Sequence, residues 1–443
     1  MNKVVILNDN PKRDLLGNLL LSLELLKKKN IKVFLTPFNL TEKEILNIEP
    51  NIIIFNYLRF QNSKLVSLAI KKKIKVIILD TEGGAFENDK DFTNSIYYKP
   101  DYDNKILYLC WGKVYENYLK KKFPKMEVVA TGHPRFDIYK KKIFNLFRKK
   151  NGKHILFCSR VSVANPKFSS IKNEINTFRI ARNASIKEVK NFYKIQKNEL
   201  SEQIKLVKKI SNDFKNEKII FRAHPFENEK LYEKAFKNLP NIEVNNKNHL
   251  SSWLANSHLC IQRGCTSGLE AAVAKIPSLS PDWGKFLYTT NIDKMNINHF
   301  VKNYDELKKI IKKIINLNNK KKIFKKNKPN KKIVKDYFYS FDGNSSKRVS
   351  KQIFKVLKDN KKSKKFIFYK VKQIVKKILM IQNIIESSYI RSLEKWDSSI
   401  KSYSEKDIET ILNLLAPIIQ KKIHIRKLSA KNNLLRSISL ENV

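Results

Sequence analysis

The sequence predicts an α/β fold of two parallel sheets, and three observations predict it. Short apolar runs at residues 4–7, 52–55, 75–79, 154–158 and 219–221 alternate with amphipathic segments of helical period, the pattern of parallel strands joined by crossover helices. Polar loops shaped by glycine and proline fall at the carboxyl ends of those runs, the edge where such sheets bind ligands. At 443 residues the chain is long enough for two units, each with its own core.

The first unit spans residues 1–150. Its first strand, 4–7, leads into the loop Asn8-Asp9-Asn10-Pro11-Lys12-Arg13 and then an amphipathic stretch carrying Leu15, Leu16, Leu19, Leu20 and Leu23. Strands follow at 32–35, 52–55 and 75–79, with helices near 42–47 and 64–72. The last of these strands delivers Asp80-Thr81-Glu82-Gly83-Gly84. A carboxylate beside two glycines at a strand end suits a site better than a core, so Glu82 is the candidate general base. Strands at 105–110 and 127–130 run into Trp111-Gly112 and into Thr131-Gly132-His133-Pro134-Arg135-Phe136-Asp137, which presents His133 and Arg135. A lysine-rich stretch, 138–153, marks the boundary.

The second unit spans 151–357. Its first strand, 154–158, presents Ser159 and Arg160; a later one, 219–221, opens into Arg222-Ala223-His224-Pro225. The run 259–261 is followed by Gly264-Cys265-Thr266-Ser267-Gly268-Leu269-Glu270, where a helix begins. Gly264 and Gly268 would let the backbone approach a ligand. Free N–H groups at that helix start, with the hydroxyls of Thr266 and Ser267, suit a phosphate. Arg222 and His224 reach the same crevice from a neighbouring strand. Helices are expected over 186–212 and 304–317, with another opening at Asp342-Gly343-Asn344-Ser345-Ser346-Lys347-Arg348, and 318–332 reads as a solvated loop.

The formal charge of +49 raises nucleic acid as a partner. The charge is mostly lysine, spread among abundant Asn and Ile, as an AT-rich coding sequence produces; no specific nucleic-acid partner is expected. Arginine, the better phosphate reader, is scarce and concentrated in the loops above. No apolar run approaches the roughly 20 residues of a membrane span, and the chain starts as a strand without a signal-peptide pattern; a cytoplasmic protein is expected. The four cysteines lack zinc-site spacing, so neither a metal nor a disulfide is expected. Residues 358–443 read as a basic helical extension. Within it Val371, Ile374, Val375, Ile378, Ile381 and Ile385 form a stripe among lysines, which fits either an anionic inner-membrane surface or packing on the core.

Taken in order, the Glu82, Trp111-Gly112, His133, His224, Cys265 and Asp342 motifs resemble those of bacterial surface carbohydrate biosynthesis proteins. They are similar to GT-B glycosyltransferases related to the capsule Kdo transferases and the CDP-glycerol glycerophosphotransferases. The resemblance covers about residues 1–357. It implies two Rossmann-like domains facing a cleft, the C-terminal one holding a nucleotide-activated donor and the N-terminal one a glycan or lipid-linked acceptor. By position Arg222, His224, Thr266, Ser267 and Glu270 would serve the donor's phosphates and ribose, with Gly268, Ser159 and Arg160 beside them; His133 and Arg135 would line the cleft near the transferred group. Where the glycerophosphotransferases place His-Gly, this chain has Glu82-Gly83, which favours a sugar donor. The implied chemistry needs no metal and no cofactor, the nucleotide-sugar being a substrate: positive groups aimed at the departing phosphate stabilise the transition state. Asp101-Tyr102-Asp103 spells a metal-binding tripeptide of another glycosyltransferase fold and is not expected to bind one here. Two other functions stay open. A nucleotide-sugar epimerase of the same fold would need acid/base groups around the sugar from both domains, and a non-catalytic nucleic-acid or membrane-surface binding protein would show salt-dependent binding.

Overall fold

Each half of the chain builds its own parallel sheet in the computed structural model, which describes residues 1–37, 42–83, 89–149, 153–182, 184–286, 295, 297–316, 331–358, 403–419, 423–427 and 438–442. The first sheet contains β1 (Asn2–Asn8), β2 (Ile31–Pro37), β3 (Ile52–Phe55), β4 (Lys75–Leu79), β5 (Ile106–Cys110) and β6 (Glu127–Ala130) in the order β2-β1-β3-β4-β5-β6, all parallel. The four residues of β3, Ile-Ile-Ile-Phe, are all buried because helices cover both faces, which is why parallel strands read as unbroken apolar runs. The second sheet contains β7 (His154–Cys158), β8 (Ile219–Arg222), β9 (Ile242–Val244), β10 (Ser257–Ile261), β11 (Ser278–Pro281) and β12 (His299–Val301) in the order β12-β11-β10-β7-β8-β9. Strand order reverses beside β1 in the first sheet and beside β7 in the second. Loops diverge at such points and leave a crevice at the carboxyl edge.

The C-terminal extension departs from the helical expectation. It contains the helix Glu405–Leu415, opened by a reciprocal Ser404/Asp407 cap, but also β13 (Ile423–Lys427) and β14 (Ile438–Asn442). These two pair antiparallel, and β14 pairs antiparallel with β2, closing that edge of the first sheet. The apolar residues alternate, with Ile438 and Leu440 buried, which is strand periodicity. The basic stripe between Val371 and Ile385 lies outside the described residues. Among the described residues no helix is long and apolar enough to cross a membrane.

The halves are joined by shared core and by polar contacts. Leu16 and Leu20 of the first unit belong to one buried cluster with Leu156, Ile220, Leu254 and Ala271 of the second. The helix Ser345–Lys358 then crosses back and buries Val349 and Ile353 against the first sheet. Its first turn is capped by Asp137, whose carboxylate accepts from the N–H groups of Ser345 (2.9 Å) and Ser346 (2.7 Å), while Arg348 Nε donates to the Thr131 carbonyl (2.7 Å). Gly132, at φ +72°, has room for no side chain: a Cβ there would lie 2.7 Å from Ser345 Oγ. The Thr131 and Asp342 motifs of the sequence are therefore two halves of one contact. Asp137→Ala should lower unfolding stability by about 1–2 kcal/mol, the usual loss of a helix cap. Denaturant melts of the two proteins check this, and coincident curves would refute the capping role.

Candidate active site

The loop after β1 supplies the site's central cation. Asn10 accepts from Lys12 N–H (3.0 Å) and donates its own N–H to Asp14 (3.1 Å), so the chain turns at once into the π-helical turn Pro11–Leu15. Proline at the first position of that turn forfeits no hydrogen bond. Arg13 is thereby held by Asp14 (2.7 Å), Asp9 (2.9 Å) and Glu82 (3.1 Å), and donates to the Thr81 hydroxyl (3.2 Å). Arg59, from the loop after β3, reaches the other oxygen of Glu82 (3.3 Å) and lies over the Tyr57 ring. Asp80 fixes the turn that carries Glu82. It accepts from Glu82 N–H (2.8 Å) and from the Tyr108 hydroxyl, and its carbonyl accepts from Trp111 Nε1 (2.5 Å). Burial alone would raise the Glu82 carboxyl, but the guanidiniums of Arg59 and Arg13 outweigh it and hold its pKa down to about 2.

Three histidines in the site share one geometry. His133 Nδ1 accepts from Arg135 N–H (3.2 Å), His224 Nδ1 from Phe226 N–H (3.3 Å) and His249 Nδ1 from Ser251 N–H (3.1 Å). An imidazole that accepts at Nδ1 carries its proton at Nε2, so each ring presents a fixed N–H donor. For His249 that donor goes to the Arg13 carbonyl (3.1 Å) across the domain boundary. His133 is 1% exposed and its Nε2 has no hydrogen-bond partner among the described residues. Burial, then the charges of Arg135 and Arg13, push the His133 pKa well down; burial, then Arg222, Arg13 and Arg160, push that of His224 down to about 3. Both rings stay neutral.

The predicted residues divide into two groups. Glu82, His133, Arg160, Arg222, His224 and Thr266 come to the meeting edges of the sheets. Lys12 reaches over from the first domain to Asn246 (3.0 Å), and the charge of Arg222 is felt there. Arg160 NH1 binds the Gly264 carbonyl (2.5 Å) and steadies the loop before the helix Thr266–Val273, which turns at Gly264 with φ +53°. The others face elsewhere. Ser159 is buried against the Tyr232 hydroxyl (3.3 Å), inside a network completed by Glu227. Ser267 is buried, and its hydroxyl has no hydrogen-bond partner among the described residues. Gly268 serves packing rather than ligand approach, since a Cβ there would overlap Gln262 and lie 2.7 Å from Asn298 Oδ1. Arg135 and Glu270 bind each other in a buried inter-domain ion pair; Tyr139 takes the second Glu270 oxygen and Thr81 carbonyl accepts from Arg135 NH1 (3.2 Å). Asp103 pairs with Lys125 (3.1 Å) and accepts from Tyr98, while Tyr102 is buried. A separate cavity of about 510 Å³, between Leu20, Lys140, Gly343 and Ile419, holds none of these site residues.

Sequence reasoning passed over Lys12, Arg13, Arg59, Tyr139 and His249. For Arg13 and Arg59 a signal existed: each is an arginine in a lysine-dominated chain, standing just beyond a strand that flanks the reversal of strand order. For Tyr139 and His249 no local pattern marks the role, because their partners lie 131 and 236 residues away.

No family model matches the sequence, and no curated protein matches it. By structure the chain is similar to the wall teichoic acid polymerase TagF, with a TM-score of 0.52 at 12% identity over 81% of this chain and 89% of that one. A second structure of that polymerase, soaked with CDPG, gives 0.51 at 13% identity over the same shares. A UDP-GlcNAc 2-epimerase from Neisseria meningitidis bound to UDP-GlcNAc aligns over 80% of this chain and 100% of that one, with a TM-score of 0.46 at 13% identity. At such identities the likeness to the polymerase is one of fold: two Rossmann-like domains facing a cleft in the GT-B manner.

Neutrality of the two histidines has a pH consequence. Each would ionise near 6.5 in the unfolded chain, so its contribution to stability is complete above that pH and is lost as pH falls; for His224 the loss runs down to about 3. Glu227, raised by burial to about 7 from 4.5, has the opposite sign and favours the fold below 4.5. Nitrogen-15 spectra of histidine-labelled protein should show His133 and His224 as neutral Nε2–H tautomers at pH 5. Imidazolium signals for both at that pH would contradict the assignment.

Proposed function

We propose that the protein is a metal-independent glycosyltransferase that moves a sugar from a CMP-, CDP- or UDP-linked donor to a surface polysaccharide or lipid-linked acceptor in the cytoplasm. One observation carries the reading. Of 90 Lys and Arg only thirteen are Arg, and four of these, Arg13, Arg59, Arg160 and Arg222, stand in loops at the meeting carboxyl edges of the two sheets beside two fixed imidazole N–H donors. Guanidiniums and neutral N–H donors match the oxygens of a phosphate leaving group. A site for an uncharged metabolite would have no use for such a concentration of them.

In this reading Arg222, the His224 Nε2–H and the free N–H groups at the start of the helix Thr266–Val273 receive the donor phosphates, with Lys12 and Arg160 adding charge. His133 offers its Nε2–H to an oxygen of the transferred unit. A carboxylate held at about 2 is a weak base, so Glu82 gains basicity only when bound phosphate draws Arg13 and Arg59 away from it. Donor binding thereby readies the group that takes the acceptor's proton. Glu270 supports the site from behind by orienting Arg135.

Calorimetric titration with CMP, CDP, UDP and GDP tests the donor half. At least one should bind, and Arg222→Ala and His224→Ala should each weaken it by about 10- to 100-fold, the loss of a charge-assisted hydrogen bond. Unaltered affinity in both variants would refute the cradle. For the chemistry, Glu82→Gln should lower turnover by roughly 10²–10⁴ while leaving nucleotide affinity undiminished or raised, since the variant frees Arg13 and Arg59 for the phosphate. Product analysis by NMR then separates the reactions, since acceptor-dependent release of nucleotide marks transfer. Acceptor-independent interconversion of nucleotide-sugars would overturn it.

A further inference from the structure

Among the described residues the first domain buries most of its aromatic side chains, Phe92, Tyr102, Trp111 and Tyr115 among them, yet exposes Tyr118 and one contacting pair. Phe60 is 58% exposed and Tyr97 38% exposed, and their rings stand nearly perpendicular, 85° apart in plane with centroids at 5.4 Å. The pair is rigidly mounted. Tyr97 N–H donates to the Leu58 carbonyl (3.1 Å), while the Asn62 side chain accepts from Arg59 N–H (2.9 Å) and donates to the Tyr57 carbonyl (2.5 Å). Arg59, the residue before Phe60, is the one whose guanidinium reaches Glu82. Lys99 stands with its ammonium 5.3 Å from the Tyr97 ring, and the exposed Gln61 follows Phe60.

We propose that Phe60 and Tyr97 form a stacking platform for an equatorially linked pyranose chain, which the transferase reading makes the acceptor. Such a sugar ring has an apolar face of C–H bonds and a rim of hydroxyls. The exposed carbon of the two rings matches the first, and the side chains of Gln61 and Lys99 match the second. Among the described residues the patch is two rings wide, with these charged and amide groups beside it. That suits one or two sugar units, not a protein partner, whose contact would need hundreds of Å² of apolar surface. Aromatic rings with few rotors also bind at small entropic cost. Arg59 links the platform to Glu82, so a chain lying on the rings extends toward the carboxylate proposed to take its proton.

Saturation-transfer NMR with the full chain and soluble chitotetraose and cellotetraose, each at millimolar concentration, tests the platform. The wild type should transfer magnetisation to sugar C–H protons of at least one of them. Phe60→Ala and Tyr97→Ala should each cut the effect at least fivefold, and Phe60→Trp should retain it. Both sites are exposed, and circular dichroism confirms that the variants are folded. No transfer to either sugar, or undiminished transfer in the Phe60→Ala/Tyr97→Ala double variant, would overturn the proposal. Parallel titration with UDP and CDP keeps the two ideas apart: nucleotide binding without sugar binding sinks the platform alone, and sugar binding without nucleotide binding upholds it while sinking the donor reading.

Discussion

The buried ion pair between Arg135 and Glu270 is the contact on which the arrangement of the two domains depends. Each group is enclosed by its own domain and neutralised by the other. Breaking such a pair by removing one partner costs about 3–5 kcal/mol, because the survivor is left charged and unsolvated. The same guanidinium binds the Thr81 carbonyl, one residue before Glu82, and Tyr139 fills the remaining oxygen of Glu270. One arginine thus ties the helix Thr266–Val273 to the loop after β4. With the shared core and the bonds of Lys12 to Asn246 and His249 to the Arg13 carbonyl, it sets the spacing of the two carboxyl edges.

What gathers in that space is positive charge with its counter-charges assigned asymmetrically. Arg13 and Arg59 are met by Asp9, Asp14 and Glu82 on the first-domain side, whereas among the described residues Arg222 on the other side has one long bond, to the Asn248 carbonyl (3.5 Å). An anion entering from solvent would find its least satisfied partner in Arg222. His133 and His224 add neutral N–H donors, because burial and then positive neighbours hold both rings well below the usual imidazole pKa. The arrangement is preorganised: each donor is aimed by a backbone contact two residues further along the chain.

Much of this was legible in the sequence, for reasons that are physical. Parallel strands such as β3 and β4 are covered on both faces and so announce themselves as apolar runs, and the loops beyond them carry the polar chemistry. The direction in which a loop side chain points was not legible. Ser159, Ser267 and Gly268 sit in the expected loops but are buried there, Ser159 against Tyr232 and Gly268 against Gln262. Pairings at long range were invisible too: nothing near Arg135 indicates a partner 135 residues away. The extension misled for a third reason. A long run of helical period dominates it, while β13 and β14 are five residues each and are strands because the open edge of β2 completes them.

Crystal structures of the protein grown with millimolar CMP, CDP and UDP show most directly whether the meeting edges of the two sheets hold a nucleotide. Phosphate oxygens of at least one of them are expected within hydrogen-bond distance of Arg222, of His224 Nε2 and of the N–H groups that open the helix Thr266–Val273. A nucleotide bound away from those groups, or crystals of the same arrangement with the crevice empty at that concentration, would contradict that expectation.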